Sequence, residues 1–164
     1  MTDTTLAEAM EAEHHEIDEG IYAYLNGDAD GRERLEAAFE ELRRHIYLEE
    51  VYLFPPLRDA GMMAPVFVML REHGEMWQVL DQVEAALTVN PAPDSSTAAL
   101  CRDLLTRLDA HNAKEEPILY PELRGILSDS AAEQYLAFLE DGERPDGWVC
   151  ERAAAGPPTS SPWG

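Results

Sequence analysis

The sequence predicts an all-α protein: an antiparallel up-down-up-down four-helix bundle with a short fifth helix and a Pro/Gly-rich C-terminal tail. Three observations carry that prediction. Apolar residues recur every three or four positions along four long stretches, as on an amphipathic helix with one buried face. Short runs of Gly, Pro, Asn and Asp separate these stretches, and short connections favour antiparallel neighbours. Finally, the pattern H-x-x-x-E-E-x-x-L-[F/Y]-P occurs twice, from His45 to Pro55 and from His111 to Pro121, which marks an internal duplication.

The first helix is expected from about Thr5 to Leu25. Its inward stripe is Leu6, Met10, Ile17, Ile21 and Tyr24, and it ends before Asn26-Gly27, where glycine accepts the left-handed conformation that closes a helix. His14 falls in the stripe, whereas His15 is rotated by about 100° towards Asp18 and Glu19. The second helix runs from about Asp30 to Arg58 with Leu35, Leu42, His45, Glu49 and Tyr52 inward, and Pro55-Pro56 is expected to kink or stop it. The third begins near Ala64-Pro65 and turns Val66, Met69, Leu70, His73, Trp77, Leu80, Val83 and Leu87 inward. The run Asn90-Pro91-Ala92-Pro93-Asp94 breaks it and offers Asp94, with Ser95, as the next cap. The fourth continues to about Leu127 with Leu100, Leu104, Leu108, His111, Glu115 and Ile118 inward and a bend at Pro117. A fifth helix is expected over Ser130 to Leu139, capped by Ser128 or Ser130. Residues 1–140 thus form the bundle domain, and residues 141–164, with little to bury, form a tail expected to be mobile or packed loosely along the bundle. The Met62-Met63 pair, Met69 and Met76 read as core filler.

Composition narrows the function. The 164 residues are 45% hydrophobic, enough for one domain with a real core. A formal net charge of -21 argues against nucleic acid and anionic membrane as partners, because both are bound through clustered Lys and Arg. Cys101 and Cys150 form no C-x-x-C pair, so neither a thiolate metal site nor a disulfide framework is indicated, and a reducing compartment is expected. The N-terminus lacks a basic and an apolar signal region, and the longest apolar run, Met62 to Leu70, is too short to span a bilayer. Cytoplasmic location is the expectation. No Gly-rich phosphate loop, G-x-S-x-G or Cys-His arrangement is present.

The duplicated motif carries the chemistry. Residues four apart share a helix face, so His45 with Glu49, and His111 with Glu115, each present an imidazole and a carboxylate in one direction. Such donors suit Zn, Mn or non-haem Fe, whereas all-oxygen sets suit Mg or Ca. In an antiparallel bundle the first hairpin contributes His14, His45 and Glu49, and the second contributes His73, His111 and Glu115. Two histidines then serve each of two metals, and the two carboxylates are free to bridge them. A ferritin-like site is a poor match, since it needs Glu-x-x-His on two helices and a Glu on each of the others. Glu50 and Glu116 point about a quarter turn away and are expected to support or be solvated rather than bridge.

At these residues, from about Leu6 to Leu127, the chain resembles the hemerythrin-like (HHE cation-binding) family. The resemblance implies a non-haem diiron centre, two Fe ions bridged by carboxylates and an oxo or hydroxo group, with Zn or Mn as possible substitutes. It also implies His14, His45, Glu49, His73, His111 and Glu115 as ligands. Its members react with O2, nitric oxide or peroxide in sensing, protective or iron-handling roles. One departure stands out: oxygen-carrying members have H-x-x-x-H on the third helix, and here His73 is followed by Trp77. Glu72, His15, Tyr47 and Tyr52 are candidates to compensate, and the sequence favours none of them. The open position leaves reversible O2 carriage in doubt and makes a peroxide-consuming oxidoreductase the runner-up. Against all of this stands a metal-free structural bundle, because a lone histidine on an apolar face is more often a satisfied core residue than a ligand. Six inward polar groups together favour a cation, since buried carboxylates without partners cost several kcal/mol each.

Overall fold

The computed structural model describes residues 4–90 and 93–153. Among these residues the chain is all-helical, with no strand. The segments are α1 (Leu6–Leu25), α2 (Gly31–Leu48), α3 (Phe54–Asp59), α4 (Met63–Val89), α5 (Ser95–Lys114), α6 (Tyr120–Ile126) and α7 (Asp129–Asp141). Two π turns, Glu49–Leu53 and Glu115–Leu119, join α2 to α3 and α5 to α6 without interruption. Five helical rods result, arranged as a helical bundle.

The ends follow from local chemistry. Thr5 and Glu8 form a reciprocal capping box at α1, with Glu8 N–H donating to Thr5 Oγ1 at 3.1 Å and Thr5 N–H to Glu8 Oε2 at 3.0 Å. Gly27 takes φ +76° just beyond α1, the left-handed conformation expected there. Asp94 caps α5 and Ser128 caps α7, each through a side-chain oxygen. Residues 91–92 of the expected break lie outside the described residues.

The expected kinks take a specific form. In both halves the ladder widens by one residue, so that Phe54 N–H bonds to the Glu49 carbonyl and Tyr120 N–H to that of Glu115. Pro55 and Pro121 then sit at the start of a fresh helical segment, where a missing N–H costs nothing. Pro55-Pro56 therefore does not stop the helix. The extra residue rotates everything beyond it by about 100°. Ile118, expected inward, is 47% exposed and Tyr52 only half-buried, while Leu53, Phe54, Leu119 and Tyr120 are buried.

The core has two parts. One is built from Ile17, Ile21, Phe39, Leu42, Ile46, Met76, Trp77, Leu80, Leu104 and Leu108. The other holds Leu6, Met10, Leu48, Phe54, Leu57, Val66, Met69, Leu70, Leu119, Tyr120 and Leu123. Met69 and Met76 are core residues, but Met63 is 67% exposed, a correction that follows from its position in the first turn of α4.

Residues 142–153 of the expected tail pack against the bundle. Cys150 is buried in the first core, and Trp148 packs edge-on against Trp77 and Tyr47, so one large and one small side chain anchor a segment that composition suggested had little to bury. Residues 154–164, the rest of that tail, lie outside the described residues. No helix among the described residues is long and apolar enough to cross a membrane.

Candidate metal centre

Between the two apolar clusters lies a polar layer. His14, His45, Glu49, His73, His111 and Glu115 are all buried and converge in it. The layer splits into two pairs of rings, with centroids 4.7 Å apart for His14 and His45 and 4.9 Å apart for His73 and His111.

The carboxylates span both pairs. Glu49 sets Oε1 3.2 Å from His73 Nε2 and Oε2 3.6 Å from His45 Nε2. Glu115 sets Oε1 3.2 Å from His14 Nε2 and Oε2 3.3 Å from His111 Nε2. One ligand atom from each of Glu49, His73, His111 and Glu115 falls within 4.8 Å of the others, and the same holds for His14, His45 and Glu115.

Each imidazole is fixed from behind. Its Nδ1 meets a carboxylate: Glu116 for His14 at 2.7 Å, Glu13 for His45 at 2.9 Å, Glu50 for His73 at 2.7 Å and Glu72 for His111 at 2.9 Å. A carboxylate accepts the Nδ1–H and turns Nε2 towards the centre, where loss of its proton frees a lone pair for a metal, the usual arrangement behind metal-ligating histidines. Glu50 and Glu116 thus brace a histidine of the opposite hairpin. Glu13 and Glu72 were not singled out for this role, although both directly precede a site histidine, an E-H dipeptide shared by the first and third helices.

The buried imidazoles and carboxylates shift one another's pKa values. Burial by itself would depress the imidazoles, but Glu49 and Glu13 raise His45 well above its ordinary pKa, Glu49 and Glu50 raise His73 to about 10, and Glu115 and Glu72 raise His111. Burial would likewise lift Glu115, yet His111 and His14 hold it well below the usual carboxylate range. Glu72, against His111 and Lys114, falls to about 2 despite its burial. Cations entering this layer must displace imidazole protons, so uptake releases protons.

The donor set passes a direct test of fit. Glu49 Oε1, His73 Nε2 and Glu115 Oε2 are buried without any hydrogen-bond partner. Orphaned buried polar atoms cost about 1–3 kcal/mol each. All three belong to the group of Glu49, His73, His111 and Glu115, whose ligand atoms lie within 4.8 Å of one another, and a cation held by that group would satisfy them together. Two imidazoles with two carboxylates is a donor set for Fe, Mn or Zn.

The His14/His45 side differs, through a residue absent from the expected set. Tyr120 Oη lies 2.8 Å from Glu49 Oε2, 2.8 Å from Glu115 Oε1, 3.0 Å from His45 Nε2 and 3.1 Å from His14 Nε2. The hydroxyl therefore fills the middle of that donor set and donates to one of the carboxylates. Burial first, then the charges of Glu115 and Glu49, push its pKa well above 10. Phe54 occupies the matching place in the other half, stacked on His73 at 5.5 Å with no hydroxyl.

The four groups proposed to compensate for Trp77 do none of this. Glu72 braces His111, His15 is exposed, and Tyr47 and Tyr52 pack edge-on against each other, 5.9 Å apart, away from the centre. Trp77 is buried beneath Arg43, whose guanidinium carbon lies 5.1 Å from its ring. A cleft of about 520 Å3 between α1, α6 and α7, lined by Leu6, Leu123, Ala132 and Leu136, reaches Tyr120 from outside.

A buried His/Glu layer across a helical bundle defines a metal-binding helical protein. The duplicated motif, its two bracketing helices and this layer coincide with a known domain. The chain belongs to the hemerythrin family: residues 5–123 match the hemerythrin HHE cation binding domain. It is 30% identical over 135 residues to an uncharacterised protein of Mycobacterium tuberculosis (strain ATCC 25618 / H37Rv), covering 76% of this chain and 53% of that protein. A protein of Mycobacterium bovis shows the same figures. The iron-sulfur cluster repair protein YtfE of Yersinia pestis (strain Pestoides F) is 39% identical over 102 residues, 56% of this chain and 46% of the relative. The chain spans about half the length of these curated relatives. No solved structure matches it.

Proposed function

We propose that this protein holds two non-haem iron ions in the polar layer and reacts there with O2, nitric oxide or peroxide, in a sensing, protective or iron-handling role. The observation that carries the reading is the set of four histidines whose Nδ1 atoms are all held by glutamates, with Nε2 aimed at two spanning carboxylates. His14 and His45 would hold one ion, His73 and His111 the other, and Glu49 and Glu115 would reach both. The two apolar clusters support an up-down-up-down course: α1 and α4 pass from the cluster of Leu6 and Val66 to that of Ile21 and Leu80, α2 passes back, and α5 passes back with its continuation into α6.

Iron would supply electrons and Lewis acidity to a small ligand. The chain supplies the rest. The glutamates behind the imidazoles fix their direction and raise their basicity. The apolar clusters exclude water from the layer, and the cleft ending at Tyr120 admits small molecules. Tyr120 keeps a proton at Oη beside Glu49 and Glu115. A relative named for iron-sulfur cluster repair supports an iron-linked protective role.

Peroxide consumption is the second reading, favoured by Trp77 standing where oxygen carriers place a further imidazole. The test is the visible spectrum of iron-loaded protein reduced with dithionite, then exposed to air, nitric oxide or peroxide. Reversible, ligand-dependent absorption changes without turnover support sensing or protection, and sustained peroxide loss supports the enzyme. A spectrum indifferent to all three ligands overturns both.

A further inference from the structure

The matched domain ends at residue 123, but the chain around the metal layer does not. Residues 143–153 return along α4, and their placement is specific. Arg144 pairs with Glu40 at 3.2 Å and donates to the Trp148 carbonyl at 2.6 Å. Trp148 sits edge-on to Trp77 at 5.8 Å and to Tyr47 at 5.1 Å. Cys150 is buried, and the Arg152 guanidinium lies over Phe67 at 5.0 Å. Gly74, next to His73, lets this segment touch the helix: a Cβ there would stand 2.5 Å from Arg152 Cβ and 2.8 Å from its backbone oxygen.

One contact reaches the metal layer. The Glu151 N–H donates to Glu50 Oε1 at 2.9 Å, while Glu50 Oε2 holds His73 Nδ1 at 2.7 Å. A backbone donor in the strap thus fixes the carboxylate that fixes a site histidine. The other half has no equivalent among the described residues. Glu116, the counterpart behind His14, has a side chain 31% exposed, against 5% for Glu50. The strap also roofs a cavity of about 200 Å3 lined by Glu50, Trp148 and Phe54, the ring stacked on His73. Trp77 acquires a purpose on this reading, since the side chain in place of a further imidazole is the surface on which the strap docks.

We propose that residues 143–153 are a positioning element of the metal centre: docked on Trp77 and seated against Gly74, they lock Glu50, and through it His73, and so control retention of the ion on the His73/His111 side. This rests on the two-ion reading above. A carboxylate freed from its backbone donor can rotate, and His73 loses its fixed tautomer and direction. Disturbing such supporting contacts elsewhere costs about 10- to 100-fold in metal affinity.

The test uses the full chain, loaded anaerobically with two equivalents of iron(II) and mixed with a colorimetric iron(II) chelator. Gly74→Ala pushes the strap away with a single methyl while putting a better helix former into α4, so loss of the helix does not confuse the result. Trp148→Ala loosens the strap from the other side, and Trp148→Phe restores most of the contact. The expected result is that Gly74→Ala and Trp148→Ala each speed release of one ion per chain about 10-fold or more, leave the other ion's rate unchanged, and that Trp148→Phe stays near the parent protein. Unchanged release in both loosened variants, or equal acceleration of both ions, overturns the proposal. If the parent protein binds no iron, the two-ion reading fails and this inference falls with it; two bound ions indifferent to the strap overturn this inference alone.

Discussion

Tyr120→Phe is the sharpest perturbation of the metal layer, because it removes one oxygen and leaves the ring. In the metal-free protein that oxygen carries the single O–H donor close to Glu49 Oε2 and Glu115 Oε1, both at 2.8 Å in a fully buried setting. One hydroxyl donates one proton at a time, so one charge-assisted hydrogen bond is lost, worth about 1.5–3 kcal/mol. The ring stays packed against His14 at 5.7 Å, so little cavity cost is added. Metal-free Tyr120→Phe should therefore unfold in urea with about 2 kcal/mol less stability at unchanged m-value, lowering Tm by roughly 4–8 °C for a chain of this size. With metal bound, cations satisfy the same carboxylates and the loss should shrink. Paired urea titrations of parent and variant, with and without metal, measure both numbers. A metal-free variant within about 0.5 kcal/mol of the parent would refute the placement of this hydroxyl.

Two further outcomes test the packing and the electrostatics. Gly20→Ala puts a Cβ 2.7 Å from Ala38 Cβ and 2.8 Å from the Arg34 carbonyl, forcing α1 from α2, and thermal unfolding should show a net loss of about 1 kcal/mol; Gly125→Ala, with open space around it, should be neutral or stabilising. Glu41 is raised to about 8 by burial, by its hydrogen bond with Glu16 and by the charges of Glu13 and Glu16. Its folded value exceeds the model-peptide 4.5, so its stabilising contribution is complete below that pH and disappears as pH climbs through about 8. Glu41→Gln should thus gain roughly 1 kcal/mol over the parent near pH 9, allowing for solvent screening, and nothing below about pH 4.5, as read from urea unfolding across pH.

Much of the candidate site was legible because helical spacing transmits directly into space. Histidine and glutamate four apart on an inward stripe have few other places to go, and all six converge. Tyr120 was hidden by the π turn. On a regular helix a residue five after Glu115 points about 140° away from it, and only the widened turn brings the phenol ring under the carboxylates. A proline at the same offset in both halves was the available signal, since it forces a break in the ladder just after the glutamate. The supporting glutamates were half visible: Glu50 and Glu116 belong to the repeat, whereas Glu13 and Glu72 each brace a histidine on the neighbouring helix of their own hairpin, a relation between two helices that periodicity along one helix does not contain. The strap was invisible for a different reason. Its composition is that of a tail, and its burial depends on two tryptophans finding each other across 71 positions in the chain.

The central claim is that these six side chains hold two cations in each chain. Anaerobic titration of metal-free protein with iron(II), followed by calorimetry in buffers of differing ionisation enthalpy, tests it most directly. The account predicts saturation at two ions per chain with net proton release, and loss of tight binding in Glu115→Ala, whose carboxylate faces both ring pairs. Saturation at one ion or none, or a Glu115→Ala protein that still binds two as tightly, would contradict it.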